Sequence, residues 1–70
     1  MNWELKHTRS NGNRHYEMVN KHNQLAQIFE LERDRVQWIV YQDLGETEIA
    51  TGYCKDMANA MRQATMKLNE

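Results

Sequence analysis

Proline is absent from the 70 residues, cysteine occurs once and glycine three times. Without proline or a low-complexity run there is no rigid linker and no internal punctuation, so the chain reads as one domain, residues 1–70. A single thiol, Cys54, excludes an intrachain disulfide and suits a reducing compartment, which places the protein in the cytoplasm. No apolar run approaches the ~20 residues that a membrane-spanning helix needs. The polar start MNWELKHTRS does not read as a signal peptide. Gly12, Gly45 and Gly52 stand far apart, so no glycine-rich phosphate loop exists. The net charge of −1 carries no strong pull toward nucleic acid or membranes.

A chain this short buries only roughly 60% of the surface its unfolded form exposes, so its core is thin. With disulfides excluded, oligomerisation or partner binding is the expected supplement.

The organising stretch is Val36–Tyr53, VQWIVYQDLGETEIATGY, which reads as a β-hairpin turning at Asp43-Leu44-Gly45-Glu46. Further turn signals fall at Ser10-Asn11-Gly12-Asn13, Lys21-His22-Asn23-Gln24 and Arg33-Asp34. Turns at such intervals mark a meander of short strands. The expected strands are about 2–9, 14–20, 24–32, 35–43 and 46–53. Residues 24–32 also fit a helical period through Leu25, Ile28, Phe29 and Glu32, but the segment is short and lacks a good N-cap. Asp56 is a suitable N-cap for a final helix, about 56–68, with Met57, Met61, Ala64 and Leu68 at helical spacing. The fold class is therefore α+β: an antiparallel meander of four to five strands with one C-terminal helix on one face.

Assuming a two-residue turn at each signal sets the registers. Asn-Gly is a strong hairpin dipeptide, since both central residues of a type I′ turn need positive φ. Those registers gather Trp3, Leu5, Tyr16, Met18, Leu25, Phe29, Leu31, Val36, Trp38, Val40, Ile49 and Tyr53 on the face that the helix covers. They leave Val19, Ala26, Ile28, Ile39, Tyr41 and Ala50 on the opposite face, with Ile28 beside Ile39 and Ala26 beside Tyr41. No second helix is available to cover that face, and a contiguous exposed apolar patch marks an interaction site. These six residues are the expected protein-binding set, and a homo-oligomer, first a dimer, is the expected state.

The other chemistries are weaker. His7, His15 and His22 do not converge in these registers and no second cysteine completes a zinc set, so no metal is expected. Cys54 at a helix start has a lowered-pKa position but no histidine beside it. The acids Glu30, Glu32, Asp34, Glu46 and Glu48 sit at turns and edges, without the cleft that general acid–base work needs. No enzyme activity and no cofactor are expected. Residues 1–22 carry Lys6, Arg9, Arg14 and Lys21 with all the histidines, so the alternative is a single-stranded nucleic-acid binder or antitoxin-like regulator using Lys6, Arg9, Arg14, His15 and Lys21.

The stretch WIVYQDLGETEIATGYCKDMANAMRQA, Trp38 to Ala64, resembles the ends of small phage and prophage accessory proteins. In those, a tryptophan-bearing strand, a glycine turn and a strand ending Ile-Ala-x-Gly-Tyr run into an alanine-spaced helix. The resemblance covers about the last half of the chain. It implies a phage-encoded protein that binds a host protein and inhibits or modulates an enzyme or defence system. The same strand-strand-helix ending is similar to small antitoxins of the HicB type, whose DNA-binding extension has no counterpart here.

Overall fold

The computed structural model describes residues 3–32 and 34–68. Its elements are β1 (Glu4–Thr8), β2 (Arg14–Val19), β3 (Leu25–Glu32), β4 (Arg35–Gln42), a short 3₁₀ turn (Asp43–Gly45), β5 (Thr47–Cys54) and α1 (Met57–Lys67). The strands form one antiparallel sheet in the order β1-β2-β3-β4-β5, and α1 packs across β3, β4 and β5. The α+β meander with one covering helix is thus the observed fold. The segment with mixed helix and strand character is the strand β3. Met1, Asn2 and Arg33, where a strand start and one turn position were expected, lie outside the described residues.

The loops decide which side of each strand faces the helix. Arg9 N–H donates to Asn13 O, and Gly12 N–H donates to Arg9 O, closing a loop of Ser10, Asn11 and Gly12. Gly12 takes φ 90°, the left-handed residue of a type I turn with a bulge. The β2–β3 loop repeats this design: Asn20 N–H donates to Gln24 O, Asn23 N–H donates to Asn20 O, and Asn23 takes φ 59°. Asn20 is buried and organises that loop, its Oδ1 accepting from the backbone of His22 and Gln24 at 2.9 and 3.0 Å. Each loop holds one residue more than the assumed two-residue turn. The β3–β4 and β4–β5 pairs each contain a bulge instead, between Glu30 and Glu32 and between Val40 and Tyr41.

A one-residue shift turns a strand over. Relative to β2 and β4, which face as expected, β3 and β5 are inverted. The covered face carries the rows Leu5–Tyr16–Ile28–Trp38–Gly52 and Met18–Ala26–Val40–Ala50, then Glu30–Val36–Cys54 at one end. Ala26, Ile28 and Val40 are fully buried there, with Ala60, Ala64 and Leu68 of the helix side closing over them. Alanine at both 60 and 64 lets the helix backbone approach the sheet. Asp56 caps α1, its Oδ1 accepting from Asn59 N–H at 2.8 Å. At the end of the covered face Glu30 receives the Arg14 backbone N–H and Nε at 2.8 and 2.9 Å and its terminal nitrogen at 3.2 Å.

Candidate functional site

The uncovered face of the sheet is the candidate site, and the registers assemble it in three rows. One row runs Val19–Leu25–Tyr41–Glu48, the middle one Glu4–Glu17–Gln27–Ile39–Thr51, and the third His7–His15–Phe29–Gln37–Tyr53. Among the described residues no helix and no further strand packs over these rows; the 3₁₀ turn touches one end of them, where Gly45 lies beside Leu25. Leu25, Phe29, Ile39 and Tyr41 are half-buried, while Val19 and Tyr53 are 52% and 53% exposed.

Val19, Ile39 and Tyr41 therefore lie where the sequence places them. Ala26, Ile28 and Ala50 do not: Ala26 and Ile28 are fully buried beneath the helix, and Ala50 packs against that core. Ile28 pairs with Trp38 and Ala26 with Val40, not with Ile39 and Tyr41. The physical reason is the inversion of β3 and β5 by the longer loops and the bulges. The same inversion brings Leu25, Phe29 and Tyr53 onto the open face, where two-residue turns would have buried them. Ile49, taken up by the β5 bulge, is also exposed, at 42%. The signal available in the sequence was Asn23, which suits the left-handed third residue of the loop Lys21-His22-Asn23 as well as it suits a two-residue turn.

The face is chemically graded. Toward β1 and β2 it is polar: Gln27 Nε2 donates to Glu17 Oε2 at 2.9 Å, and His15 Nε2 lies 3.2 Å from the same carboxylate oxygen. The His15 ring stacks on Phe29 with centroids 4.3 Å apart. Toward β4 and β5 it is aromatic and aliphatic, and the Arg35 guanidinium sits over the Tyr53 ring at 4.7 Å. An apolar centre with Tyr, Phe and Arg inside a polar rim is the composition of protein-binding surfaces.

The basic residues of the alternative reading are not brought together. Arg14 is on the covered side, where hydrogen bonding to Glu30 raises its pKa further above an already high value. Those same bonds hold the Glu30 carboxyl below the ordinary carboxylate range, against a smaller opposing effect of burial. Lys6 lies in the β1 bulge, 3.5 Å from Glu4, and Arg9 closes the first loop. Lys21 lies in the second loop, at the other end of β2, and His15 is held against Phe29. Among the described residues no three His, Cys, Asp or Glu side chains cluster as metal ligands. Cys54 is half-buried in a row with Val36 and Glu30. A groove of about 350 Å³ lies beside the helix, lined by Trp38, Arg62, Gln63, Met66 and Lys67. No described helix is long and apolar enough to cross a membrane.

Fold and face together define an α+β meander with one sheet face covered and one open. Comparison with models of known families, with curated proteins and with solved structures finds no match to this chain.

Proposed function

We propose that the protein is a non-enzymatic protein-binding module whose working surface is the open sheet face, closed in isolation by a second copy packed face to face. The observation that carries this reading is the contiguous apolar group Val19, Leu25, Phe29, Ile39, Tyr41 and Tyr53 left uncovered on a sheet whose other face already has its helix. A monomer gains nothing from keeping such a group wet.

The size sets the expected strength. Four strands at ~4.8 Å spacing and about seven residues at ~3.3 Å give a plane of roughly 450 Å². Two copies then bury about 1,000 Å², near the lower bound for a specific interface and in the size class of weak, transient contacts. A weak self-contact is one that a better-matched partner displaces. The resemblance of Trp38–Ala64 to phage and prophage accessory proteins makes a host protein in the bacterial cytoplasm that partner, with inhibition or modulation as the outcome.

Light scattering across a concentration series tests the reading. The expected result is reversible association that Val19→Glu and Ile39→Glu each abolish while the circular dichroism of the folded chain is retained. A strict monomer at millimolar concentration, or association indifferent to both variants, refutes it.

A further inference from the structure

We infer that a second copy of this chain adds to the outer edge of β5, strand to strand and antiparallel, in a ladder centred on Thr51 that joins two sheets into one of ten strands. The two edges of the sheet are built differently. β1 spans only Glu4–Thr8, is bulged at Lys6, and carries Glu4, Lys6 and His7. Short length, a bulge and charge are the devices by which sheet edges refuse another strand. β5 has two of them, a charge and a bulge, and both lie near its start. It runs the eight residues Thr47–Cys54 with Glu48 as its sole charge, and its bulge lies near Ile49. From Ala50 to Cys54 its pairing with β4 is regular, and among the described residues no strand borders its outer side. The outward backbone N–H and C=O groups of that run form a template for one more strand.

The strand is complementary to itself. About a two-fold axis at Thr51, threonine faces threonine, and Ile49 faces Tyr53 of the other copy at both ends, an aliphatic–aromatic cross-strand pair of the favourable kind. On the helix side Ala50 faces Gly52, so the smallest residues meet where two α1 helices share one surface. Beyond the ladder, Lys55 of each copy comes to the end of the other copy's β5 that carries Glu46 and Glu48, and the two-fold repeats that charge match. No like charges oppose one another within the Ile49–Tyr53 ladder. Because the axis is normal to the sheet, both open faces lie on the same side and merge. The edge contact does not rest on the face-to-face contact proposed above; where both form, four copies assemble as two joined sheets stacked on their open faces.

Two measurements on the full chain test this: solution mass by sedimentation, and amide hydrogen exchange resolved by residue at low and high protein concentration. The expected result is concentration-dependent protection of outward amides within Ile49–Tyr53, and a mass that Thr51→Lys reduces by half together with that protection. The Thr51 hydroxyl donates to Trp38 O at 2.9 Å, so Ile49→Lys, at an exposed position, is the second variant should Thr51→Lys unfold. Val19→Glu lies on β2, far from this edge, and is expected to leave the β5 protection intact. Association that survives both lysine variants but not Val19→Glu overturns the edge inference and keeps the face reading. Association that survives Val19→Glu but not the lysine variants does the reverse. Absence of any concentration-dependent protection in β5 also overturns the edge inference.

Discussion

Gly52 is the position at which a single methyl group tests the packing most sharply. It pairs with Trp38 across β4 and β5, and the indole lies against it. A Cβ built at Gly52 would stand 2.7 Å from Trp38 Cζ2 and 2.8 Å from Cε2 and Nε1. Those atoms belong to a ring that is 95% buried (5% exposed) and anchored by its own hydrogen bond, Nε1 donating to Gln63 Oε1 at 3.1 Å. The ring must move, and the helix residue that holds it must move or let go.

Overpacking of this kind costs about 1–3 kcal/mol, and loss of the indole–amide hydrogen bond adds about 1 kcal/mol. Alanine returns about 0.5–1 kcal/mol through the smaller backbone entropy of the unfolded chain. Gly52→Ala is therefore expected to destabilise by about 2 kcal/mol, which lowers Tm by roughly 8–16 °C in a domain of this size. Urea unfolding followed by far-ultraviolet circular dichroism measures the loss, and near-ultraviolet dichroism reports the displaced indole. The decisive step is the same substitution in a Trp38→Leu background. There the clash has no ring to meet, and most of the loss should vanish as a coupling energy. Equal destabilisation in both backgrounds, or a Gly52→Ala protein as stable as the wild type, would show that the indole does not lie on Gly52.

The face assignment makes its own prediction: Ile28→Ala removes a fully buried side chain and is expected to destabilise by about 2–5 kcal/mol. Ile39→Ala removes a half-buried one on the open face, and a loss under about 1.5 kcal/mol is expected from the smaller area removed from contact. Equilibrium unfolding of the two variants at low protein concentration decides, and reversal of their order would mean β3 faces the other way. The Arg14–Glu30 pair predicts an acid-side effect. Because the folded carboxyl titrates below its unfolded value of about 4.3, its stabilising contribution is complete above that value and is lost as pH falls through the lower folded one. In Arg14→Met that loss should shrink and the Glu30 carbon resonance should titrate in the ordinary range; a wild-type Glu30 that already titrates there contradicts the pairing.

The architecture was legible because several local signals agree: β-rich runs between turn residues, a capping aspartate, and apolar spacing that changes to helical after Cys54. The faces were half legible. β2 and β4 are bounded by alternation strong enough to orient them, and Tyr16, Met18, Val36, Trp38 and Val40 all face the helix. β3 could not be oriented by its own composition, because Leu25, Ala26, Ile28, Phe29 and Leu31 put apolar side chains on both sides. Its orientation is set by whether the loops before and after it hold an even or odd number of residues. For β3 that parity depends on the left-handed conformation at Asn23 and on the bulge near Leu31, and for β5 on the bulge near Ile49. Glycine, asparagine and aspartate tolerate such conformations, yet nothing in their order states how many residues the loop will take.

The consequence for function runs opposite to the usual effect of a register error. Inverting β3 and β5 exchanges Ala26, Ile28 and Ala50 for Leu25, Phe29 and Tyr53 on the open side, so two alanines and an isoleucine give way to a leucine and two aromatics. The helix explains why the smaller set is buried. Ala60 and Ala64 carry α1 close to the sheet, and a close helix has room over Ala26, Ala50 and Gly52 but none over a row of aromatics. Trp38 lies above Gly52, where no Cβ stands in its way. Once the covered layer is thin, the larger side chains of β3 and β5 must occupy the other face. The helix's small-residue stripe and the aromatic open face are thus two sides of one packing choice. Enlarging Ala64 to leucine should push α1 outward without altering the open-face rows, since strand orientation is fixed by the loops.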